Sequence, residues 1–332
     1  MPADSRSYVA GNFFLTLDGV KCGFVKSVDG GAVSAEVIKE HVGPRGFVNK
    51  HIGQPKYEEF AIAIGFSMAK AVYGWIADSW AMNYRRKSGA IVAADYQSEA
   101  KRQWEFLNAL ITETTIPACD GASREPAHLT VKFAPEYIKQ KSASGKVADA
   151  GKKGQQKMWL PSNFRLEIAG LDCSKVSKID AFTVKQAIAT DDIGGERGVA
   201  KEPGGVEFPN LRITLSEAGA QSWMDWCEDF VIKGRNDESR EKSGTLTLLA
   251  PDARTELARV TFRSVGIFKL AREKVEANAD QIQRLVADLY CERMEFVCPV
   301  HEGGGQSAPE AAARSPSAAR ARRAGARRAR RR

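Results

Sequence analysis

Histidine and cysteine are scarce in this chain, four and six residues among 332, and their spacing argues against two kinds of chemistry. Cys22, Cys119, Cys173, Cys227, Cys291 and Cys298 stand too far apart for a CxxC zinc site and too irregularly for a disulfide framework. His41, His51, His128 and His301 show no paired ligand spacing. Neither a metal nor a cofactor is expected. No apolar run approaches a membrane-spanning length, and the opening MPADSRSYVAGN lacks the basic-then-apolar order of an export signal. A soluble protein assembled in the cytoplasm, without membrane insertion, is the expectation. Absent too are a GxSxG elbow, an HExxH helix, a Walker loop and a supported Cys-His pair. The chain is not expected to be an enzyme.

Charge is the first positive signal, and it is local. The formal net charge is +8. From His301 to the end, nine arginines face only Glu302 and Glu310, so the remaining body is nearly neutral. Arg320, Arg322, Arg323, Arg327, Arg328, Arg330, Arg331 and Arg332 form a candidate polyanion-binding tail for DNA or an acidic partner. Residues 299–332 contain no apolar face to bury and are expected to be disordered.

The second signal is a repeat. Residues 12–29 (NFFLTLDGVKCGFVKSVD) align with 163–180 (NFRLEIAGLDCSKVSKID) at an offset of 151, with Asn12, Phe13, Leu15, Gly19, Cys22, Val25 and Asp29 meeting identical residues. The same offset carries Phe60, Ile62 and Ile64 onto Leu211, Ile213 and Leu215, and Trp75 onto Trp226. A fixed period of this kind is the mark of a duplicated unit.

Each copy opens with period-two alternation that predicts a hairpin. A glycine-rich stretch follows, an extended hairpin or a long connection, whose Gly43, Gly46, Gly53, Gly194, Gly195 and Gly204 mark candidate assembly loops over 36–56 and 187–207. Beyond an alternating strand, the period changes to that of a helix. Met68, Val72, Trp75, Ile76 and Ser79 share one helical face, as do Ala220, Trp223, Cys227 and Phe230, with Ser67 and Ser216 as predicted N-caps. Strands are predicted near 90–96, 103–110 and 127–133, and near 245–250, 258–267 and 285–296. Phe13, Trp75, Phe164 and Trp226 are the expected core anchors. The predicted fold is mainly β, two tandem antiparallel β-barrel domains with one α-helix each. Their expected bounds are 1–138 and 160–298, joined by a flexible linker at 139–159.

This order of elements resembles the tail tube proteins of contractile bacteriophages and related injection systems. Asn12, Phe13, Leu17, Gly19, Gly53, Trp75, Arg85, Arg86, Gly89, Trp104 and Phe106 carry the resemblance in the first copy. Asn163, Phe164, Ile168, Gly170, Gly204, Trp226, Gly244 and Phe262 carry it in the second. It implies a small barrel with one helix, shared with the tube protein of type VI secretion, six such units closing a ring inside a contractile sheath. The tandem fusion and the arginine-rich tail depart from the family pattern.

The resemblance implies a structural subunit of the inner tube, or of the tube-baseplate junction, of a phage tail or injection particle. Its partners would be further copies of itself and other tube, sheath, baseplate or spike proteins. Two units per chain imply three chains in a pseudo-hexameric ring, or six chains in a double ring. The alternative is a nucleic-acid-binding or cargo-binding accessory protein acting through the tail.

Overall fold

The computed structural model describes residues 11–42, 46–147, 159–192, 199–273 and 282–299. Gly43, Gly194, Gly195 and the arginine-rich tail lie outside the described residues.

In the first half the chain forms β1 (Asn12–Leu17), β2 (Val20–Val25), β3 (Ser27–Gly30), β4 (Val33–Val42), β5 (Phe47–Tyr57), β6 (Phe60–Ile64), α1 (Lys70–Trp80), β7 (Lys87–Ala94), β8 (Ala100–Ile116), β9 (Cys119–Asp120), β10 (Leu129–Ala134) and β11 (Tyr137–Ser142). The sheet runs β2-β1-β7-β8-β10-β6-β3, with every pair antiparallel. Its two edges, β2 and β3, are separated in the chain by Lys26 alone. The sheet therefore curls until its ends meet, a nearly closed barrel. Phe60, Phe106 and Phe133 fill its interior with ring centroids 5.0–6.0 Å apart, and Trp75 from α1 packs on Phe133 at 5.6 Å.

The second half contains β12 (Phe164–Ile168), β13 (Val176–Ile179), β14 (Phe182–Asp192), β15 (Val199–Glu207), β16 (Leu211–Ser216), α2 (Gln221–Cys227), β17 (Lys242–Leu249), β18 (Glu256–Arg272) and β19 (Arg284–Val297). Its order β12-β17-β18-β19-β16-β13 repeats that of β1-β7-β8-β10-β6-β3 position for position. The registers repeat as well. Ile62 pairs with Val131 and Ile213 with Ala287, while Leu15 pairs with Ile91 and Leu166 with Leu246.

Local irregularities recur at equivalent points. Gly89 faces Phe106 and Gly244 faces Phe262 across the strand pair, and a Cβ on Gly89 would come within 2.9 Å of the Phe106 ring. Beyond each glycine the register slips, and the bulged strands place Asn108 at φ 51 and Ser264 at φ 52. The cross-strand pair Glu113–Lys132, 2.7 Å, returns with its charges exchanged as Lys269–Asp288, 3.8 Å.

Several expectations need correction. The second half has no counterpart of β2. Asp172 instead closes a turn on the Ser174 amide (2.9 Å), and its own backbone binds Ser222 Oγ and Trp223 Nε1 of α2. Residues 139–142 are not linker: they complete β11, paired along β8. Trp159 is 1% exposed, packs on Phe66 at 6.0 Å and donates to the Asn163 carbonyl. Ser67 and Ser216 cap neither helix, since α1 starts after Ala69 and α2 after Ala220, without side-chain caps. After α2 the chain widens into a π-helical turn over Glu228–Ile232. Nor are the halves separate bodies, because β8 of the first pairs with β14 of the second.

Trp75 and Trp226 are 3% and 8% exposed, while Phe13 and Phe164 are half-buried against the same core. Replacing Trp75 or Trp226 with Ala should cost about 3–5 kcal/mol of stability through lost burial and a residual cavity. Urea unfolding of the two variants checks this; a change within error for both would contradict the core assignment.

Candidate assembly surface

The two halves join through a continuous antiparallel sheet. The far end of β8 is about six residues longer than its pairing with β7 requires, and this overhang receives the start of β14. Ile116 faces Phe182, Thr115 faces Thr183, Thr114 faces Val184 and Glu113 faces Lys185. Beside it β9 pairs with β13, Asp120 facing Lys178 and Cys119 facing Ile179. β-Branched and aromatic residues suit such a pleated seam. One face of the seam lies in the core, where Thr114, Ile116, Cys119, Phe182 and Val184 are all buried, while Thr115 and Thr183 on the other face are half-buried. The Thr115 and Thr183 hydroxyls hydrogen-bond to each other across the strands at 2.8 Å.

Side chains fasten the seam at both ends. Ser79 of α1 donates to Gln186 Oε1 at 2.7 Å in a buried setting, and Trp80 stacks on Phe296 of β19 at 5.6 Å. The β14–β15 hairpin lies across the turn before β7. There Arg86 donates to Glu202 Oε1 (2.7 Å) and to the Lys201 carbonyl (2.8 Å), while the Lys201 amide donates to Glu136 Oε1 (2.9 Å). Burial lowers the Lys201 ammonium from its ordinary value, offset in part by Glu59 and Glu136. Within the stretch 187–207, residues 187–192 and 199–207 are the two arms of an extended hairpin, which clasps the other half of its own chain.

The matching hairpin, β4–β5, is exposed along its length. Val33, Val37, Ile38, Phe47, Val48 and Ile52 leave 41–70% of their surface to solvent. Gly46 takes a positive φ of 68 at its tip, and Gly53 and Gly204 sit in β5 and β15. Sequence periodicity could not separate these hairpins from loops because neither strand of β4–β5 has a buried face.

Among the described residues no group of three or more His, Cys, Asp or Glu is placed to hold a metal. No helix among them is long and apolar enough to cross a membrane. What the described residues present is sheet edges, two hairpins and a seam.

Residues 9–139 match the family of the T4-like virus tail tube protein gp19. The match takes in β1 to β10 and the start of β11. No curated protein matches the chain. Among solved structures, it is similar to a chain of the sheath-tube complex of PVC, an extracellular contractile injection system in the extended state. That match has 21% identity, covers 42% of this chain and 94% of the other, and has a TM-score of 0.37. The cap that terminates the tube of the anti-feeding prophage gives 21% identity, 42% and 95% coverage and a TM-score of 0.37. Hcp1 from Flavobacterium johnsoniae gives 15% identity, 43% and 95% coverage and a TM-score of 0.25.

The cysteine at the seam of the tail tube domain offers a probe. Burial pushes the Cys119 thiol up to about 12, so at neutral pH it stays protonated and poorly nucleophilic. Iodoacetamide at pH 8, followed by peptide mass mapping, should label half-buried Cys227 well before Cys119. Equal labelling rates in the folded protein would mean that the seam opens freely.

Proposed function

We propose that this chain is a structural subunit of the inner tube, or of the junction between tube and baseplate, in a phage tail or contractile injection particle. Each chain supplies two tube-like units. The tail tube family of 9–139 supports the tube role, and the repeated strand order supports treating 160–298 as a second unit of the same kind. The observation that carries the reading is the seam, where one unit already adds its strand to the next within a single chain.

That joint is heterologous: the face used by the first unit differs from the face used by the second. Repetition of such a joint closes a ring or grows a filament. With six units to a ring, three chains suffice, giving true threefold and pseudo-sixfold symmetry. The role is mechanical, a closed conduit inside the sheath, and the family's partners are the sheath, baseplate and neighbouring rings. Assembly in the cytoplasm before incorporation into the particle completes the proposal. Native mass spectrometry of assembled rings should give three chains per ring; six chains spanning two layers would reject the stoichiometry and keep the tube role.

The arginine-rich tail, including Arg320, Arg322, Arg323, Arg327, Arg328, Arg330, Arg331 and Arg332, lies outside the described residues, and its part in the proposal is contact with DNA or an acidic protein surface. Deleting 307–332 should leave the unfolding temperature unchanged and abolish salt-sensitive retention on DNA-cellulose. Retention equal to that of the full chain would assign any DNA contact to the folded body.

A further inference from the structure

The seam inside the chain has a counterpart whose two sides are both exposed. The registers above map β8 onto β18 at an offset of 156, Phe106 to Phe262 and Ile111 to Ile267. They map β14 onto β4 at 151, since Lys185 faces Glu207 as Ser34 faces Lys56, with the same bulge one residue later. Under these offsets 113–116 correspond to 269–272, and 182–185 correspond to 31–34. Residues 269–272 pair with β19 on one side, as 113–116 pair with β10, and on the other side no strand among the described residues covers them. The start of β4 pairs with β5 alone.

We infer that residues 32–34 of one copy add as an antiparallel strand to residues 269–271 of the next, while Gly31, buried at φ 76 with its N–H on the Glu59 carbonyl, stays out of the pairing. Ala32 then lies opposite Ala271, and Val33 opposite Leu270. The inference rests on the tube-subunit reading and deepens it by naming the edge through which a second copy binds.

Exposure and charge on the two faces fit that occupant. Val184 is 3% exposed in the internal seam, whereas its counterpart Val33 is 53% exposed. Trp80, 2% exposed where α1 meets the second half, corresponds to Val231 at 46%, followed by Ile232 at 77%. Apolar side chains thus stand in water where the internal joint buries them, and an unpaired strand end lies beside them. The polar clasp transposes too. Arg86 and Glu136 correspond to Glu241 and Glu292, while Lys201 and Glu202 correspond to Lys50 and His51. The second half therefore offers two acids where the exposed hairpin of another copy brings two bases. A partner with the chemistry of this chain's own β4–β5 hairpin satisfies the edge, the apolar contact and the charge together.

Cross-linking tests the register. Thr115 and Thr183 lie directly opposite each other in the internal seam, with their side chains in contact, so Ala32 and Ala271 are the corresponding positions for a cross-strand disulfide. Full-length A32C and A271C chains, mixed under assembly conditions and oxidised, should give a two-chain band on non-reducing gels. Neither variant alone should do so, and T115C/T183C should close within one chain. A second measurement does not depend on cysteine geometry: E241R should weaken assembly several-fold, and adding H51E should restore it by recreating the Arg86–Glu202 type of pair. Rings seen by electron microscopy without the two-chain band or the charge rescue would overturn this seam and leave the tube role standing. Absence of rings together with absence of the band would overturn both.

Discussion

A β-strand at the edge of a sheet leaves every second N–H and C=O without a protein partner, and in this molecule that demand is met in three ways. In the first half the sheet curls on itself, so that β2 and β3 close on the same short stretch of chain. Between the halves the overhanging end of β8 takes β14. At the far end of β18 and on the outer edges of β4–β5 no partner strand stands among the described residues. The barrel, the seam and the exposed hairpin are successive answers to one constraint, since unpaired edges attract other strands unless a built partner occupies them.

Much of the barrel was legible in the sequence because one face of each strand is buried. Phe60, Ile62 and Ile64 alternate with exposed or half-exposed residues, and so do Leu211, Ile213 and Leu215; period two follows directly. The helices announced themselves through Trp75 and Trp226, whose spacing from other apolar residues fits 3.6 and not 2. The repeat was legible for the same reason, as the positions it preserves are those where volume and turn geometry matter. Gly89 and Gly244, each beneath a phenylalanine ring, are of this kind.

Other features left no local trace. Lys139, Gln140, Lys141 and Ser142 read as linker because they are polar, yet β11 gains its order from backbone pairing with β8. Trp159 sits in a short apolar run, Met158–Leu160, that shows no period, and only the fold brings it to Phe66 and Ala127. The missing second strand of the 163–180 copy turned on the Asp172 turn and its hold on α2, which alignment with 12–29 hides. The seam was least visible, since it depends on Ile116 and Phe182 meeting across more than sixty residues. Gly46, Gly53 and Gly204, chosen as candidate assembly residues for glycine content, fall in the two hairpins and not in the strands at their base.

The account's central claim is that the joint inside the chain and the joint between chains are one design used twice. A cryo-electron microscopy map of the assembled ring, at a resolution that separates strands, measures this most directly. The account predicts a β-sheet that continues through every junction, with 182–185 on 113–116 alternating with 32–34 on 269–271 around the ring. A ring whose chain-to-chain contacts use other surfaces, with the ends of β18 and β4 still facing solvent, would contradict it.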